Sequence, residues 1–202
     1  MTGCEKPFKR ERTTQSKCNI MSVSSVKYLI LEHVWMFSKP AKPAEIAKSA
    51  SMNFSTVMMH LIGLAKMEYV SSPEKGVYAI TEKGKRALGI PEVSKQKTTE
   101  ILRHLPVEKA FHFYVDVGKP LNVSAESLTG FCEKIQKVDL KSVEFHLHRG
   151  DFETWLTGLG DTELARKISL VKKQKIGGEE LRRKLHETVQ KRLEDLIKIR
   201  GT

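Results

Sequence analysis

Apolar residues in the first part of the chain recur at helical spacing in successive segments. The first segment repeats at three- and four-residue steps and should end near Lys39-Pro40, because proline does not continue a helix. Its apolar positions are Val26, Leu29, Ile30, Val34 and Phe37. Pro43 then occupies a favourable first position for a short second helix over residues 43–50.

A third helix is predicted over residues 55–67. Asn53 or Ser55 can cap it, because a side-chain oxygen at that point accepts a hydrogen bond from the first turn. Its two faces carry different residues: Val57, Leu61 and Leu64 on one, and Thr56, Met59, His60 and Gly63 on the other. Runs at 69–72 and 77–81 flank a Pro-Glu-Lys-Gly tip, which predicts a β-hairpin, and Thr81 opens one more helix.

This order of elements, with its sequence pieces, resembles winged-helix regulators of the MarR, ArsR and PadR type, which occur in bacteria and archaea. The matching pieces are Ser55-Thr56-Val57, His60-Leu61, Leu64, Tyr69-Val70, Tyr78, Ile80 and Thr81-Glu82-Lys83-Gly84. The resemblance covers about residues 22–90. It implies a winged helix-turn-helix domain that binds double-stranded DNA, and a homodimer that reads two half-sites.

The predicted DNA-binding residues follow from how such a domain docks. The third helix enters the major groove and the hairpin meets phosphate or the minor groove, while lysines around them add salt-sensitive attraction. On and before the helix the candidates are Asn53, Ser55, Thr56, Met59, His60 and Lys66, and on the wing Lys75; the remaining lysines are Lys39, Lys42 and Lys48.

Two departures from the winged-helix pattern favour a second interpretation. Members of these families usually carry Arg or Lys in mid-helix, where this chain has Met58-Met59-His60. They also have a glycine before the first wing strand, where this chain has Met67-Glu68. The alternative is a winged-helix module that docks to proteins of the transcription or replication machinery without sequence-specific DNA binding.

The second half is predicted to be mostly helical. Residues 91–105 form a linker with a helical lead-in, and residues 106–202 form a helical domain for dimerisation or for a small-molecule or protein effector. A helix over 124–135 would be capped by Ser124 or Asn122, and Gly160 and Asp161 would separate two further helices. The segments 110–117 and 141–148 fit strand or helix.

The last helix, over residues 179–200, has one apolar stripe that could dimerise or close its own core: Leu181, Leu185, Val189, Leu193 and Leu196. Residues 106–200 resemble a domain of unknown function found in archaeal proteins. The pieces that carry this resemblance are Phe111-His-Phe-Tyr, Gly118, Ser124-Ala, Ser142-Val-Glu-Phe-His, Asp151-Phe and Leu159-Gly-Asp. The predicted fold class is mostly α with a small β-hairpin wing, an N-terminal winged helix-turn-helix followed by a C-terminal α-helical domain.

The stretch FHLHRGDFETW, residues 145–155, suggests several kinds of chemistry. Its two histidines could share a metal ion only on a strand, because residues two apart on a helix point about 200° from each other. An adhesive Arg-Gly-Asp would need an extracellular loop. The simplest interpretation is a helix junction in which Asp151 caps the next helix. Its polar residues could also line a ligand pocket: His112, His146, His148, Arg149 and Asp151.

Charge and motif content narrow the function. The net charge is +11, with 14 basic and 7 acidic residues in 1–90 against 21 and 17 in 91–202, which favours a polyanionic partner contacted by the first half. Residues 1–21 read as a flexible basic tail. Scattered cysteines, no secretory signal and no apolar run of about 18 residues favour a cytoplasmic protein away from the membrane. Catalytic and cofactor motifs are lacking, so no enzyme, metal or cofactor is predicted.

Overall fold

The structure is a computed structural model that describes residues 24–37 and 39–201, so the predicted tail over 1–21 lies outside it. In the first half, three helices precede a hairpin and a fourth helix: α1 Ser25–Met36, α2 Pro43–Ala50, α3 Phe54–Lys66, β1 Val70–Ser71, β2 Ala79–Ile80 and α4 Glu82–Ala87. In the second half, the elements are α5 Lys95–Ile101, β3 Phe111–Asp116, β4 Lys119–Ala125, α6 Leu128–Lys137, α7 Leu140–Arg149, α8 Asp151–Leu159, α9 Thr162–Lys173 and α10 Gly178–Gly201.

Helix α3 forms where the sequence predicts it, and its ends have local causes. The Asn53 side chain accepts a hydrogen bond from the backbone N–H of Thr56 at 2.8 Å, which satisfies one of the unpaired donors of the first turn. Val57, Leu61 and Leu64 are fully buried, as the spacing predicts.

Helix α1 differs from its predicted stripe. It ends at Met36, before Lys39-Pro40, and Leu29 keeps 40% of its surface exposed. Its buried residues are Ile30, Leu31, Val34, Trp35 and Met36. The buried face is wide because α2 and α3 cover one side, while Trp35 reaches Glu163 of α9 on the other. A single stripe therefore describes only part of its packing.

The predicted hairpin is present, and a third segment joins it. Val70 pairs with Ile80 and Ser71 with Ala79 in an antiparallel ladder. Ala41, between α1 and α2, exchanges backbone hydrogen bonds with Tyr78. The loop between α1 and α2 is thereby fixed against the returning strand of the hairpin.

Glu68 takes the place of the missing glycine before β1 and adopts a left-handed backbone with φ of 60°. Such a conformation costs a non-glycine residue about 1–2 kcal/mol. Thr81 holds the turn, because its hydroxyl donates to the carbonyl oxygen of Glu68 at 2.7 Å. The tight link between helix and hairpin is thus kept without glycine.

Gly84 explains the Thr-Glu-Lys-Gly piece that opens α4. The Thr81 hydroxyl caps α4 by accepting from the Gly84 N–H, and Gly84 is buried against the hairpin. A Cβ at Gly84 would lie 2.1 Å from the carbonyl oxygen of Tyr69 and 2.9 Å from a side-chain carbon of Ile80. Only glycine allows α4 to approach the hairpin this closely.

The second half is mostly helical, as predicted, and it also contains a two-stranded sheet. Strands β3 and β4 are antiparallel, with Phe111 opposite Ala125 and His112 opposite Ser124. The segment 110–117, which fitted either strand or helix, forms β3. Ser124 and Asn122 therefore do not cap a helix: α6 begins at Leu128, and Ser127 caps it. Pairing with β3 extends the strand through residues whose local pattern suits a helix.

Helical predictions near the chain end are confirmed. Gly160 ends α8 with φ of 87°, and the Asp161 side chain caps α9 by accepting from the Leu164 N–H. The helical lead-in predicted within residues 91–105 corresponds to α5. The α10 stripe from Leu181 to Leu196 is buried against α5, α6, α7 and α9. Of the two uses that the sequence allowed, the stripe therefore closes the core of its own half.

Two apolar cores meet at α9. The first-half core centres on Trp35, Leu61 and Leu64, and the second-half core on Phe113, Phe131 and Phe152, while Leu170 packs against both.

Polar contacts also join the halves. Trp35 Nε1 donates to Glu163 at 3.2 Å. The Arg166 guanidinium lies 5.3 Å from the centre of the Trp35 ring and donates to the Leu88 carbonyl and to Glu32. Glu163 is held in turn by the buried Arg192, which also binds Asp161.

Candidate functional site

The predicted recognition helix presents a mixed outer face. Ser55 and Lys66 are exposed, and Thr56 and His60 are partly exposed. Three apolar side chains of this helix are exposed as well: Met59 is 62% exposed, Phe54 55% and Ile62 47%. Asn53 and Ser55 are engaged in the cap, since the Ser55 hydroxyl donates to the Asn53 side-chain oxygen. The face thus offers hydroxyls, an imidazole and apolar groups rather than guanidinium forks.

Apart from Lys27, whose ammonium lies 4.0 Å from the Met67 sulfur, the basic residues described in the first half fall into two groups. Lys83, Lys85 and Arg86 form ion pairs with Glu68, Glu82 and Glu92. The five lysines predicted to contact DNA are exposed and have no ion-pair partner among residues 24–37 and 39–201: Lys39, Lys42, Lys48, Lys66 and Lys75. The lysines with uncommitted charge are therefore those before α3, at its end and at the hairpin tip.

A cavity of about 330 Å³ lies between α7, β3 and the β3–β4 turn. Its lining includes four of the five residues predicted for a ligand pocket, namely His112, His146, Arg149 and Asp151. Its other walls are Phe111, Tyr114, Asp116, Val117, Gly118 and Phe145. His148 does not line the cavity, because α7 is a helix and its ring lies on another side, hydrogen-bonded to the Glu144 carbonyl.

His146 is buried and both of its ring nitrogens are occupied. The Tyr114 backbone N–H donates to Nε2 at 2.8 Å, and Nδ1 lies 2.7 Å from the Asp151 carboxylate. A backbone N–H can only donate, so Nε2 carries no proton and the neutral ring is protonated at Nδ1. The imidazole therefore ties β3 to the start of α8, and it presents no free nitrogen to the cavity.

The electrostatics agree with a neutral ring. Burial lowers the pKa of His146, and this outweighs the hydrogen bond to Asp151, which raises it. Protonation at Nε2 would also break the bond from Tyr114. Asp151 does not cap α8 as predicted: Gly150, with φ of 82°, is the N-terminal cap residue, and the Asp151 carboxylate turns back to His146 and Arg149. The predicted helix junction is confirmed, since α7 ends and α8 begins at Gly150.

Arg149 is held on one edge only. Its Nε donates to Asp151 at 3.1 Å, and its guanidinium carbon lies 5.0 Å from the centre of the Phe145 ring. The two terminal nitrogens make no hydrogen bond to any residue in the described part of the chain. The guanidinium is thus oriented by Asp151 and Phe145 while its outer donors remain open.

The histidines do not form a metal centre with neighbouring residues. His112 Nε2 is hydrogen-bonded to the Val107 carbonyl, and His146 is satisfied as above. Within residues 24–37 and 39–201, no group of three histidine, cysteine or acidic side chains is arranged to hold a metal ion.

Sequence reasoning missed Tyr114 and Asp116 as cavity residues, although a signal was available. His112, Tyr114 and Asp116 are two apart along β3, and alternation along a strand predicts that they share a side, although the pairing with β4 shifts register between them. Had the weak alternation over 110–117 been taken as a strand, that side would have appeared. Phe145, one residue before His146 on α7, carried no comparable signal.

A second cavity, of about 940 Å³, lies between the two halves, next to the contacts that α9 makes with the first half. It is lined by α1 and α2 on one side and by α9 and α10 on the other, with acidic and basic side chains mixed along its walls. Across the described ranges, no helix combines the length and apolar character that crossing a membrane requires.

Comparison with known proteins identifies the second half. A family model, described as a family of unknown function (DUF5752), matches residues 90–190. This segment runs from the end of the first half into α10 and includes the cavity. No curated protein and no solved structure matches the chain.

Proposed function

The chain belongs to the DUF5752 family, and we propose that it is a DNA-binding transcriptional regulator whose first half is a winged helix-turn-helix. In this proposal α3 enters the major groove of double-stranded DNA and the β1–β2 hairpin contacts the backbone or minor groove. The second half supplies the dimer contact or an effector site, and the protein acts as a cytoplasmic homodimer.

The order of elements supports the winged-helix assignment. Three helices precede a two-stranded hairpin, and Ala41 adds a third paired segment beside Tyr78. Thr81 caps α4 and bonds the turn before β1, and Gly84 lets α4 pack directly against the hairpin. This arrangement leaves the outer face of α3 and the hairpin tip open to solvent.

The observation that carries the proposal is the distribution of uncommitted positive charge. Lys39, Lys42, Lys48, Lys66 and Lys75 are exposed without an acidic partner among the described residues. Lys66 ends α3 and Lys75 stands at the hairpin tip, whereas Lys48 lines the second cavity. Lysines without acidic partners are free to neutralise phosphates, which releases counterions and gives affinity that falls with salt.

Sequence preference, in this proposal, comes from short side chains and shape. Ser55 and Thr56 can contact base edges, and Met59 can pack on a thymine methyl group. No arginine on α3 provides a bidentate contact to guanine. We therefore expect a modest ratio of specific to non-specific affinity, with much of the binding energy coming from phosphate contacts.

The homodimer needs a surface other than the α10 stripe, because that stripe is buried within its own half. A dimer of two winged helices would place two α3 helices about one helical turn of DNA apart. Sedimentation of the protein alone and with duplex DNA tests this part of the proposal.

A second candidate function has its own support. Phe54, Met59 and Ile62 expose apolar surface on α3, and apolar surface of this kind suits a protein groove better than phosphates. In this alternative the first half docks to a protein of the transcription or replication machinery, and its lysines only assist.

Fluorescence-anisotropy titration separates the two functions. The full chain is titrated with a random duplex and with its own upstream region at several salt concentrations. Lys66→Gln and Lys75→Gln are compared with Lys141→Gln, an exposed lysine of α7 that serves as the matched control. We expect each of the first two changes to lower the salt slope by about 1, and the control to leave it unchanged.

The outcomes lead to different conclusions. Preference for the upstream region, weakened by Thr56→Ala, supports a sequence-reading regulator. Equal affinity for both duplexes leaves a non-specific DNA binder. No binding at low salt overturns the DNA proposal, and a partner captured by the wild type but not by Met59→Ser/Ile62→Ser then favours the docking module.

A further inference from the structure

We propose that the cavity between β3 and α7 binds a small organic anion with a flat apolar body, and that Arg149 holds its charged end. This inference concerns the second half alone. It goes beyond DNA binding and does not depend on it.

The size of the cavity limits the ligand. Its volume of about 330 Å³ lies at the small end of ligand sites and equals the space of about eleven water molecules at ~30 Å³ each. A ligand of about ten non-hydrogen atoms fits this space.

The side chains that line the cavity favour a ligand with a flat apolar body. Phe111, Tyr114 and Phe145 are the aromatic residues of the lining, of which Phe111 is only 6% exposed, and Val117 is 74% exposed at the rim on the β3–β4 turn. Rings in walls of this kind favour a flat apolar partner, which can stack against one ring and meet the edge of another. Burial of Val117 by a ligand would remove apolar surface from water.

The unpaired hydrogen-bond donors of the cavity favour a negatively charged ligand. Arg149 is fixed by Asp151 through Nε and by stacking on Phe145, so its two terminal nitrogens are presented as a preformed pair of donors. A carboxylate or phosphate accepts both hydrogen bonds in one plane. Tyr114 belongs to the same lining, and its hydroxyl has no hydrogen-bond partner among the described residues.

The acidic residues of the lining do not offset this preference. Asp116 accepts from the Val117 N–H and from Lys119, and its pKa is lowered by these contacts. Asp151 accepts from His146 and Arg149. Each carboxylate is therefore already compensated within the protein, whereas the outer edge of Arg149 is not. A cation would have to compete for occupied acceptors, and an anion meets open donors.

Isothermal titration calorimetry with the full chain, in the absence of DNA, tests the proposal. Phenylacetate and phenyl phosphate combine a ring with a carboxylate or a phosphate. 2-Phenylacetamide has the shape of phenylacetate without its charge, and acetate and inorganic phosphate have the charge without the ring. Arg149→Gln is compared with Arg103→Gln, an exposed arginine outside the cavity.

We expect at least one of the two ring-bearing anions to bind at least about tenfold more tightly than the amide and than its ring-free counterpart. Arg149→Gln should weaken that binding by about tenfold, since a charge-assisted contact is lost, and Arg103→Gln should leave it unchanged. Arg149→Lys should recover part of the loss. Which of the two anions binds identifies the headgroup.

Several results would overturn the proposal. They are no heat of binding from either ring-bearing anion at millimolar concentration, equal binding of phenylacetate and its amide, and equal loss in the Arg149→Gln and Arg103→Gln variants. Because Arg149 is largely exposed and Asp151 keeps His146 as a partner, the variants should fold, which far-ultraviolet circular dichroism checks.

Discussion

Replacing Arg192 by methionine should destabilise the protein strongly. Arg192 is 4% exposed and donates to Asp161 through Nε and Nη2 and to Glu163 through Nη1. Methionine fills similar space but donates nothing. Two buried carboxylates would lose their main partner, while Asp161 would keep the N–H of Leu164, and Glu163 would keep Trp35 and Lys167.

The size of the destabilisation depends on whether each carboxylate stays charged without its partner or takes up a proton. Breaking a buried ion pair from one side costs about 3–5 kcal/mol. A carboxyl with an ordinary pKa near 3.9 can instead become neutral at pH 7 for about 4 kcal/mol, which limits the loss for each group. We therefore expect Arg192→Met to lower the free energy of unfolding by about 3–5 kcal/mol.

Urea denaturation followed by tryptophan fluorescence measures this loss, and Trp35 reports directly because its indole N–H contacts Glu163. The matched control is Lys191→Met, the neighbouring residue on α10. Its ion pair with Asp195 is largely exposed and should contribute less than about 1 kcal/mol. Equal slopes of the transitions would show that both variants unfold as the wild type does.

A second substitution tests the cause. Asp161→Asn removes one of the stranded charges but retains a good helix cap, so the variant Arg192→Met/Asp161→Asn should regain stability relative to Arg192→Met alone. The reasoning is refuted if Arg192→Met costs less than about 1 kcal/mol, or if the added Asp161→Asn makes matters worse.

Four further outcomes are expected. Burial lowers the pKa of His146 below its usual 6.5. The neutral ring therefore contributes its full share to the free energy of unfolding above pH 6.5, and this share is lost as the pH falls from 6.5 towards the folded-state pKa. Urea midpoints in a His33→Gln background, which removes a second histidine of lowered pKa, should decline there, and a flat profile contradicts this. Gly84→Ala should lower stability by about 1–3 kcal/mol, since the new methyl group meets the Tyr69 carbonyl; an unchanged midpoint would show that α4 shifts freely. Glu68→Gly should raise the thermal midpoint by relieving a left-handed residue, and a lower midpoint would mean that the Lys83 contact dominates. Burial raises the pKa of the Cys132 thiol to about 11, so in a Cys4→Ser/Cys18→Ser variant native protein should resist iodoacetamide at pH 8, and rapid labelling would refute that burial.

The predictions that succeeded rest on local signals. Gly160 and Asp161 define a helix boundary through their own backbone and side chain, and the spacing of Val57, Leu61 and Leu64 needs only one covered face. Such features can be read from a few consecutive residues.

The predictions that failed depend on contacts that lie outside the helical pattern from which they were made. Ser124 lies in a strand because β3 pairs with it, and Asp151 is drawn from its capping role by His146 and Arg149. The wide buried face of α1 reflects the approach of α9, far along the chain. The competing contact comes from a paired strand, from the preceding helix turn or from a distant helix, and helical spacing alone shows none of these.

The ligand-pocket residues illustrate both cases. His146, Arg149 and Asp151 stood together in sequence, and the structure brings His112 to the same cavity across the fold. His148 was included for its proximity in sequence, yet helical geometry turns it away from its neighbour two residues before.

The course of α10 has a consequence for any shorter version of the protein. The family match ends at residue 190, but α10 continues to Gly201, and Leu193 and Leu196 beyond that point belong to the core. A fragment covering only 90–190 would lack these side chains together with Arg192, leaving an apolar trough and two unbalanced carboxylates. Such a fragment would be prone to aggregate, whereas a fragment that reaches residue 201 retains the whole of α10, which covers the apolar core.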